Sequence, residues 1–310
     1  RSQSLFSVPG IGLVAASLAA VHPYLVALSA LVLSEATFLP LMMLGLWGVA
    51  SLWGKPQANH PVWIAIGTGL AMGGAILSRP SWALFVPVVL ASWVIGSQSG
   101  TRLKAWKSSV IVALATAAIL APWWIRNGRV IGRFVPTALW VGASLYDGIG
   151  PQANGSSEMA FVEAPDVRSL GEVEQDSVFR GRSIAFARAN PGRVFELAAI
   201  KFARFWSPWP NADTIRSPWI SAGSALVTLP IFGLIALGAF DRRRDFRALV
   251  LLAGPLAYFC VLHMVFVSSI RYRIPGELPA MGLASVGLVR VLRWAWPWAF
   301  EPPDQGGFDR

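Results

Sequence analysis

Eight long apolar runs divide this chain, and its polar residues fall mostly between them. They cover roughly residues 5–22, 35–53, 62–78, 81–97, 107–125, 219–240, 246–268 and 275–295. A transmembrane helix needs about 20 apolar residues, and each run lies at or near that length. The pattern predicts an all-α, polytopic integral membrane protein with about eight transmembrane helices and one long outer (periplasmic) segment. It divides the chain into membrane helices over 1–125 (about five crossings), an outer loop with amphipathic helices over 126–216, membrane helices over 217–295 (about three crossings), and a flexible tail over 296–310.

Within the first block, His22-Pro23 and Ser34-Glu35 interrupt an otherwise continuous apolar stretch. This reads as a hairpin in which the piece 24–33 is too short to span and suits a re-entrant or interfacial helix. A second hairpin, 62–97, turns at Ser78-Arg79-Pro80-Ser81, and Gly69 and Gly73 offer a small-xxx-small face for close helix packing. The run 107–125 ends at Trp123-Trp124 beside Arg126-Asn127, a pattern of the membrane–water interface. Residues 128–171, rich in Gly, Pro, Asn and Ser, read as ordered loop, and 172–189 as an amphipathic helix. Asn190-Pro191 is a helix start signal, with Asn as N-cap and Pro at N1. The helix 191–206 that follows carries Phe195, Phe202, Phe205 and Trp206 and is expected on the outer membrane surface.

Composition agrees. Of 310 residues 55% are hydrophobic and 14% charged, against about 25% charged in soluble domains, which excludes a soluble enzyme, a disordered chain or a coiled coil. The single cysteine, Cys260, can form neither an intrachain disulfide nor a metal cluster. Nothing implies a metal or a cofactor. The net charge of +10 is mostly topological. Ten basic residues (Lys55, Arg102, Lys104, Lys107, Arg242, Arg243, Arg244, Arg247, Arg290, Arg293) occupy alternate connections, against three (Arg79, Arg271, Arg273) in the opposite short ones. The positive-inside rule puts the first set in the cytoplasm, where it can touch anionic lipid. No basic patch interleaved with aromatics suggests nucleic acid.

Ionisable groups at membrane level are costly and mark function by default. On the expected outer side these are His22, Glu35, Arg79, Arg126, Arg271, Arg273 and Glu277, joined by Asn127, Tyr146, Asp147 and Tyr272. A pocket rich in arginine and poor in acid suits a phosphate, which guanidinium grips bidentately. The candidate substrate-binding set is Glu35, Arg79, Arg126, Asn127, Tyr146, Arg271, Tyr272 and Arg273. Plainer readings stand beside it. Arg79-Pro80 also fits a simple hairpin turn, His22 a polar helix end, the Trp-rich stretch 206–219 an interface belt, and the sequon Asn154-Gly155-Ser156 a chance match.

Several short motifs occur in a telling order: His22-Pro23 ahead of Leu33-Ser34-Glu35; Leu77-Ser78-Arg79-Pro80; Ala121-Pro122-Trp123-Trp124-Ile125-Arg126-Asn127; Gly142 to Tyr146; Asn190-Pro191-Gly192-Arg193; Lys201 to Trp206; and Arg271-Tyr272-Arg273-Ile274-Pro275. In these the chain resembles the GT-C superfamily of polyprenyl-phosphate-sugar-dependent glycosyltransferases, near the protein O-mannosyltransferases (glycosyltransferase family 39-like) and the lipid A aminoarabinose transferase. The resemblance spans roughly residues 5–295. It implies an enzyme of the bacterial inner membrane with its site on the periplasmic face, moving a sugar from a polyprenyl-phosphate donor to a protein, lipid or glycan hydroxyl. Its partners are that donor and membrane lipids. Arg79, helped by Arg271 or Arg273, would stabilise the leaving phosphate, and Glu35 would shape the site. The family's expected base lies in an outer loop after a first crossing, ahead of the run corresponding to 5–22. The chain opens at Arg1 without a signal peptide, so residues 1–4 are expected to be the remnant of a cytoplasmic loop. The catalytic acid is then expected upstream of Arg1, and the fragment alone inactive. A flippase or transporter for a lipid-linked substrate, or a non-catalytic membrane scaffold, are the alternatives.

Overall fold

The structure is a computed structural model that describes residues 10–30, 33–54, 60–212 and 216–300, with side chains to residue 298. Lys55, the expected remnant 1–4, the start of the run 5–22 and the tail beyond residue 300 lie outside the described residues.

Among the described residues the fold is all-α, as the apolar pattern requires. The helices run α1 (Ile11–Ala20), α2 (Pro23–Ser29), α3 (Glu35–Gly54), α4 (Pro61–Ser78), α5 (Phe85–Gly96), α6 (Ser99–Val130), α7 (Val141–Ile149), α8 (Glu172–Ala189), α9 (Pro191–Phe205), α10 (Pro218–Asp241), α11 (Phe246–Val265) and α12 (Ile270–Ala295). Six of them, α3, α4, α6, α10, α11 and α12, are long and apolar enough to cross a membrane. The chain is a polytopic integral membrane protein.

The other two apolar runs take different forms. The first, 5–22, holds α1, and the short piece after it holds α2; the two meet at a 64° bend and make a seventh span if counted together. Pro23 at N1 cannot continue the helix before it. His22 takes the N-cap instead, its Nδ1 accepting a hydrogen bond from Leu25 N–H at 3.4 Å. The run 81–97 becomes a 3-10 turn, Pro80–Trp82, followed by α5, a shorter apolar stretch. The run expected over 107–125 is part of the 32-residue α6. At 1.5 Å per residue α6 is about 48 Å long, well beyond the ~30 Å hydrocarbon, so its polar turns at both ends extend past the apolar layer. The boundary drawn at 125/126 falls inside it.

Glycines set the closest helix contacts. A Cβ at Gly69 would overlap the Val112 carbonyl and one at Gly73 would meet Ile119, so α4 lies directly on α6, where Thr116 donates to the Gly69 carbonyl at 3.1 Å. The same device, not singled out from the sequence, joins α10 and α12, where a Cβ at Gly238 or Gly287 would overlap the Leu283 or Leu234 carbonyl. Between α3, α5 and α11 an aromatic core is closed by Phe38, Trp82, Phe85 and Phe259, with Trp82 stacked on Phe85 at 4.4 Å between centroids.

The segment between α6 and α10 caps one end of this bundle. It is more helical than expected: α7 and a 3-10 turn at Met159–Glu163 lie within 128–171. The helix expected over 172–189 is α8. Asn190 occupies the N-cap of α9, but its side chain donates to the Phe186 carbonyl and so closes α8 instead. Leu197, Lys201 and Phe205 of α9 are buried toward the bundle, while Phe195 and Phe202 are exposed. Ser156 N–H donates to the Asn154 Oδ1 at 2.8 Å, so that sequon forms a tight turn with Gly155 at φ +88°.

Candidate functional site

Three helix ends meet at the capped end of the bundle. Glu35 opens α3, where a carboxylate is favoured by the helix dipole. Arg79 leaves the end of α4, with extended backbone that places Pro80 in a new turn. Arg271 sits in the first turn of α12. The buried Glu35 carboxylate accepts from Arg79 Nη1 at 2.9 Å, from Arg271 Nε at 2.7 Å and, through its other oxygen, from Arg271 Nη2 at 3.1 Å. Two guanidiniums thus share one carboxylate, and a positive charge is left over. The Arg271 side chain is 46% exposed and that of Arg79 11%, so the excess charge is not sealed from solvent. The Arg79 guanidinium lies 5.4 Å from the Tyr272 ring centroid and 5.8 Å from that of Phe38. Tyr272 in turn stacks on His263 of α11 at 4.2 Å.

A second acid–arginine pair lies on the same helix, turned inward. Arg273 is fully buried. Its Nε donates to Glu277 at 2.7 Å, and its Nη1 donates to the carbonyls of Phe205 and Ser207, both at 2.7 Å. The fork ties α12 to the end of α9. Glu277, also fully buried, lies 3.5 Å from His22 Nε2 at the α1–α2 bend. His22 Nδ1 accepts from Leu25, so in the neutral ring Nε2 carries the proton, and it lies near Glu277 without a hydrogen bond to it.

The candidate set therefore separates. Glu35, Arg79, Arg271 and Tyr272 are in direct contact. Arg273 is their neighbour in sequence but serves the interior. Arg126 donates to the adjacent Asn127 at 2.9 Å and lies over Trp123, and Asn127 is buried. Tyr146 belongs to an aromatic cluster with Phe161 and Phe179. Asp147 accepts from Ser157 Oγ at 2.7 Å and Glu158 N at 2.9 Å, which fixes the loop after α7. No hydrogen bond, ion pair or ring contact joins Arg126, Asn127 or Tyr146 to the Glu35 cluster among the described residues. His263 was missed from the sequence because it stands alone inside an apolar run, and no local signal pairs it with Tyr272.

Lys201 of α9 is buried, with Nζ donating to the Gly148 carbonyl at 3.0 Å and the Val265 carbonyl at 2.7 Å. Burial pushes its ammonium down to about 8. The lysine pins α7, α9 and the end of α11 together under the cluster. Arg204, donating to the Ser268 carbonyl at 3.2 Å, and Asn211, accepting from Ile270 N at 2.8 Å, extend that seam.

Residues 3–125 match the family model described as dolichyl-phosphate-mannose-protein mannosyltransferase. The match includes Glu35 and Arg79, while Arg271, Arg273 and Glu277 come from beyond it. No curated protein and no solved structure matches the chain. The family match, together with the six apolar helices, supports a membrane glycosyltransferase of the GT-C type that uses a lipid-linked sugar.

Proposed function

We propose that the chain forms the donor-phosphate side of a glycosyltransferase that takes a sugar from a polyprenyl-phosphate carrier and passes it to a hydroxyl of a protein, lipid or glycan. The observation that carries this reading is the Glu35 carboxylate holding Arg79 and Arg271 side by side at 2.7–3.1 Å. As the glycosidic bond breaks, the carrier phosphate leaves with growing negative charge. Donors already in place for that charge act without reorganising, which is where electrostatic catalysis gains most. Glu35 orients the two guanidiniums and lowers their mutual repulsion. Already accepting three hydrogen bonds from cations, it is poorly placed to take the acceptor's proton, so it positions the arginines. Tyr272, backed by His263, holds Arg79 from the other side.

The cluster end is the outer, periplasmic one in this reading, because the ten basic residues counted from the sequence belong to the opposite connections. The membrane is then the bacterial inner membrane. The segment 126–216, capping the cluster end, takes the acceptor side, with Arg126, Asn127 and Tyr146 available to it rather than to the phosphate. The test is Arg79→Ala in the full-length protein in membranes. Transfer from a polyprenyl-phosphate sugar is expected to fall about 100-fold or more while insertion and expression stay normal; wild-type turnover would remove Arg79 from the site.

A further inference from the structure

We infer that the end of the bundle opposite the Glu35 cluster carries a binding site for a membrane phospholipid with an anionic headgroup. Two cavities adjoin there. One, of about 750 Å³, is polar, and its walls include Ser97, Gln98, Thr101, Arg242, Arg244 and Arg247. The other, of about 250 Å³, is mainly apolar, with Leu52, Val62, Trp93 and Ile111 in its walls and Lys104 and Lys107 at its rim. Trp53, Ser97 and Thr101 line both, so the two form one amphiphilic hollow.

Its place in the fold fits a lipid. The hollow lies where α3, α5 and α10 end and α6 and α11 begin, the level at which hydrocarbon gives way to headgroups. Its charges fit a phosphate. The two acids in the polar chamber are already engaged. Asp241 accepts from Arg290 at 3.2 Å, and Asp245 caps α11 by accepting from Ala248 N at 3.0 Å. Arg244 and Arg247 are exposed and line the chamber. The Arg247 guanidinium lies so close to Gly54 that a Cβ there would come within 2.7 Å of Nη1, which places the cation across the end of α3. Arginine grips a phosphate through two donors at once, and the apolar chamber beside it has room for the first part of an acyl chain. A free phosphate would use the first chamber and leave the second unexplained.

The test titrates the full chain, in uncharged detergent, with phosphatidylglycerol, phosphatidylcholine or inorganic phosphate and reads the thermal unfolding midpoint. Phosphatidylglycerol is expected to raise the midpoint saturably, with no effect of the other two at equal concentration. Arg244→Gln combined with Arg247→Gln is expected to raise the half-saturating phosphatidylglycerol concentration about 10- to 30-fold without changing the midpoint of the lipid-free protein. Ser108→Phe, which fills the apolar chamber and leaves every charge in place, is expected to weaken the same response. An equal effect of phosphatidylcholine, a full effect of inorganic phosphate, or unchanged half-saturation in both variants would overturn the proposal.

Discussion

The two buried glutamates of this protein solve the same electrostatic problem in opposite ways. Glu35 and Glu277 both sit at the capped end of the bundle, and both are held by arginine from the first turn of α12. Glu35 shares its charge between two arginines, one of them 46% exposed. Glu277 faces one fully buried arginine, whose Nη1 is spent on the carbonyls of Phe205 and Ser207 and whose guanidinium lies 4.8 Å from the Phe232 ring centroid. The first arrangement leaves cationic donors facing outward, and the second leaves none. A charge cluster at membrane level is therefore not one kind of object: the exposure of the partner decides whether it can meet a ligand or only hold helices together.

The comparison can be broken most directly at the inner pair. Glu277→Ala strands a buried guanidinium, and losing one partner of a buried ion pair costs about 3–5 kcal/mol. The unfolding midpoint in detergent is expected to fall sharply, with any loss of transfer following the loss of folded protein. A stable Glu277→Ala protein with no activity would move this pair into the site. Next comes Arg79→Ala, already expected to cost about 100-fold in transfer; here the sharper measurement is the unfolding midpoint, expected to change far less than for Glu277→Ala. Arg271→Lys keeps the charge and loses the side-on fork to Glu35, so transfer is expected to drop about tenfold, with folding preserved. If lysine works as well as arginine, the bidentate geometry does not matter.

The smallest effect concerns Lys201. Its ammonium titrates near 8 when folded, against 10.5 as the ordinary value. Between those values the unfolded chain holds more protons than the folded one, so stability rises with pH across that window. Lys201→Met is expected to flatten the rise, read as the difference in unfolding midpoint between pH 7.5 and 9.5 relative to wild type. An identical rise in the variant would show that Lys201 is not the group responsible.

Much of the architecture was legible in the chain. Apolar length marked the spans, Pro23 marked the bend before α2, and the Gly69/Gly73 spacing marked the α4–α6 contact. The length of α6 was not legible, because Pro122 and the charged turns read as helix ends although a helix can continue through them once it leaves the hydrocarbon. The short α5 also escaped, since hydropathy cannot tell a spanning run from one folded against Trp82. Of the candidate site, Glu35, Arg79, Arg271 and Tyr272 came together, whereas Arg126, Asn127 and Tyr146 shared only the same side of the bundle with them.

What the sequence determined by itself was the set of residues that cannot rest in lipid and the order in which they appear. Burying backbone and apolar side chains leaves little freedom there: a run of about 20 apolar residues must become a helix, and its charges must gather at its ends. Only the tertiary structure decided which of those charges meet. Arg271 and Arg273 are two residues apart, about 200° around the helix, so they necessarily face different ways. The docking of α9 against one face and of α3, with Arg79 beside it, against the other made the first a partner of Glu35 at the surface and the second a buried tie.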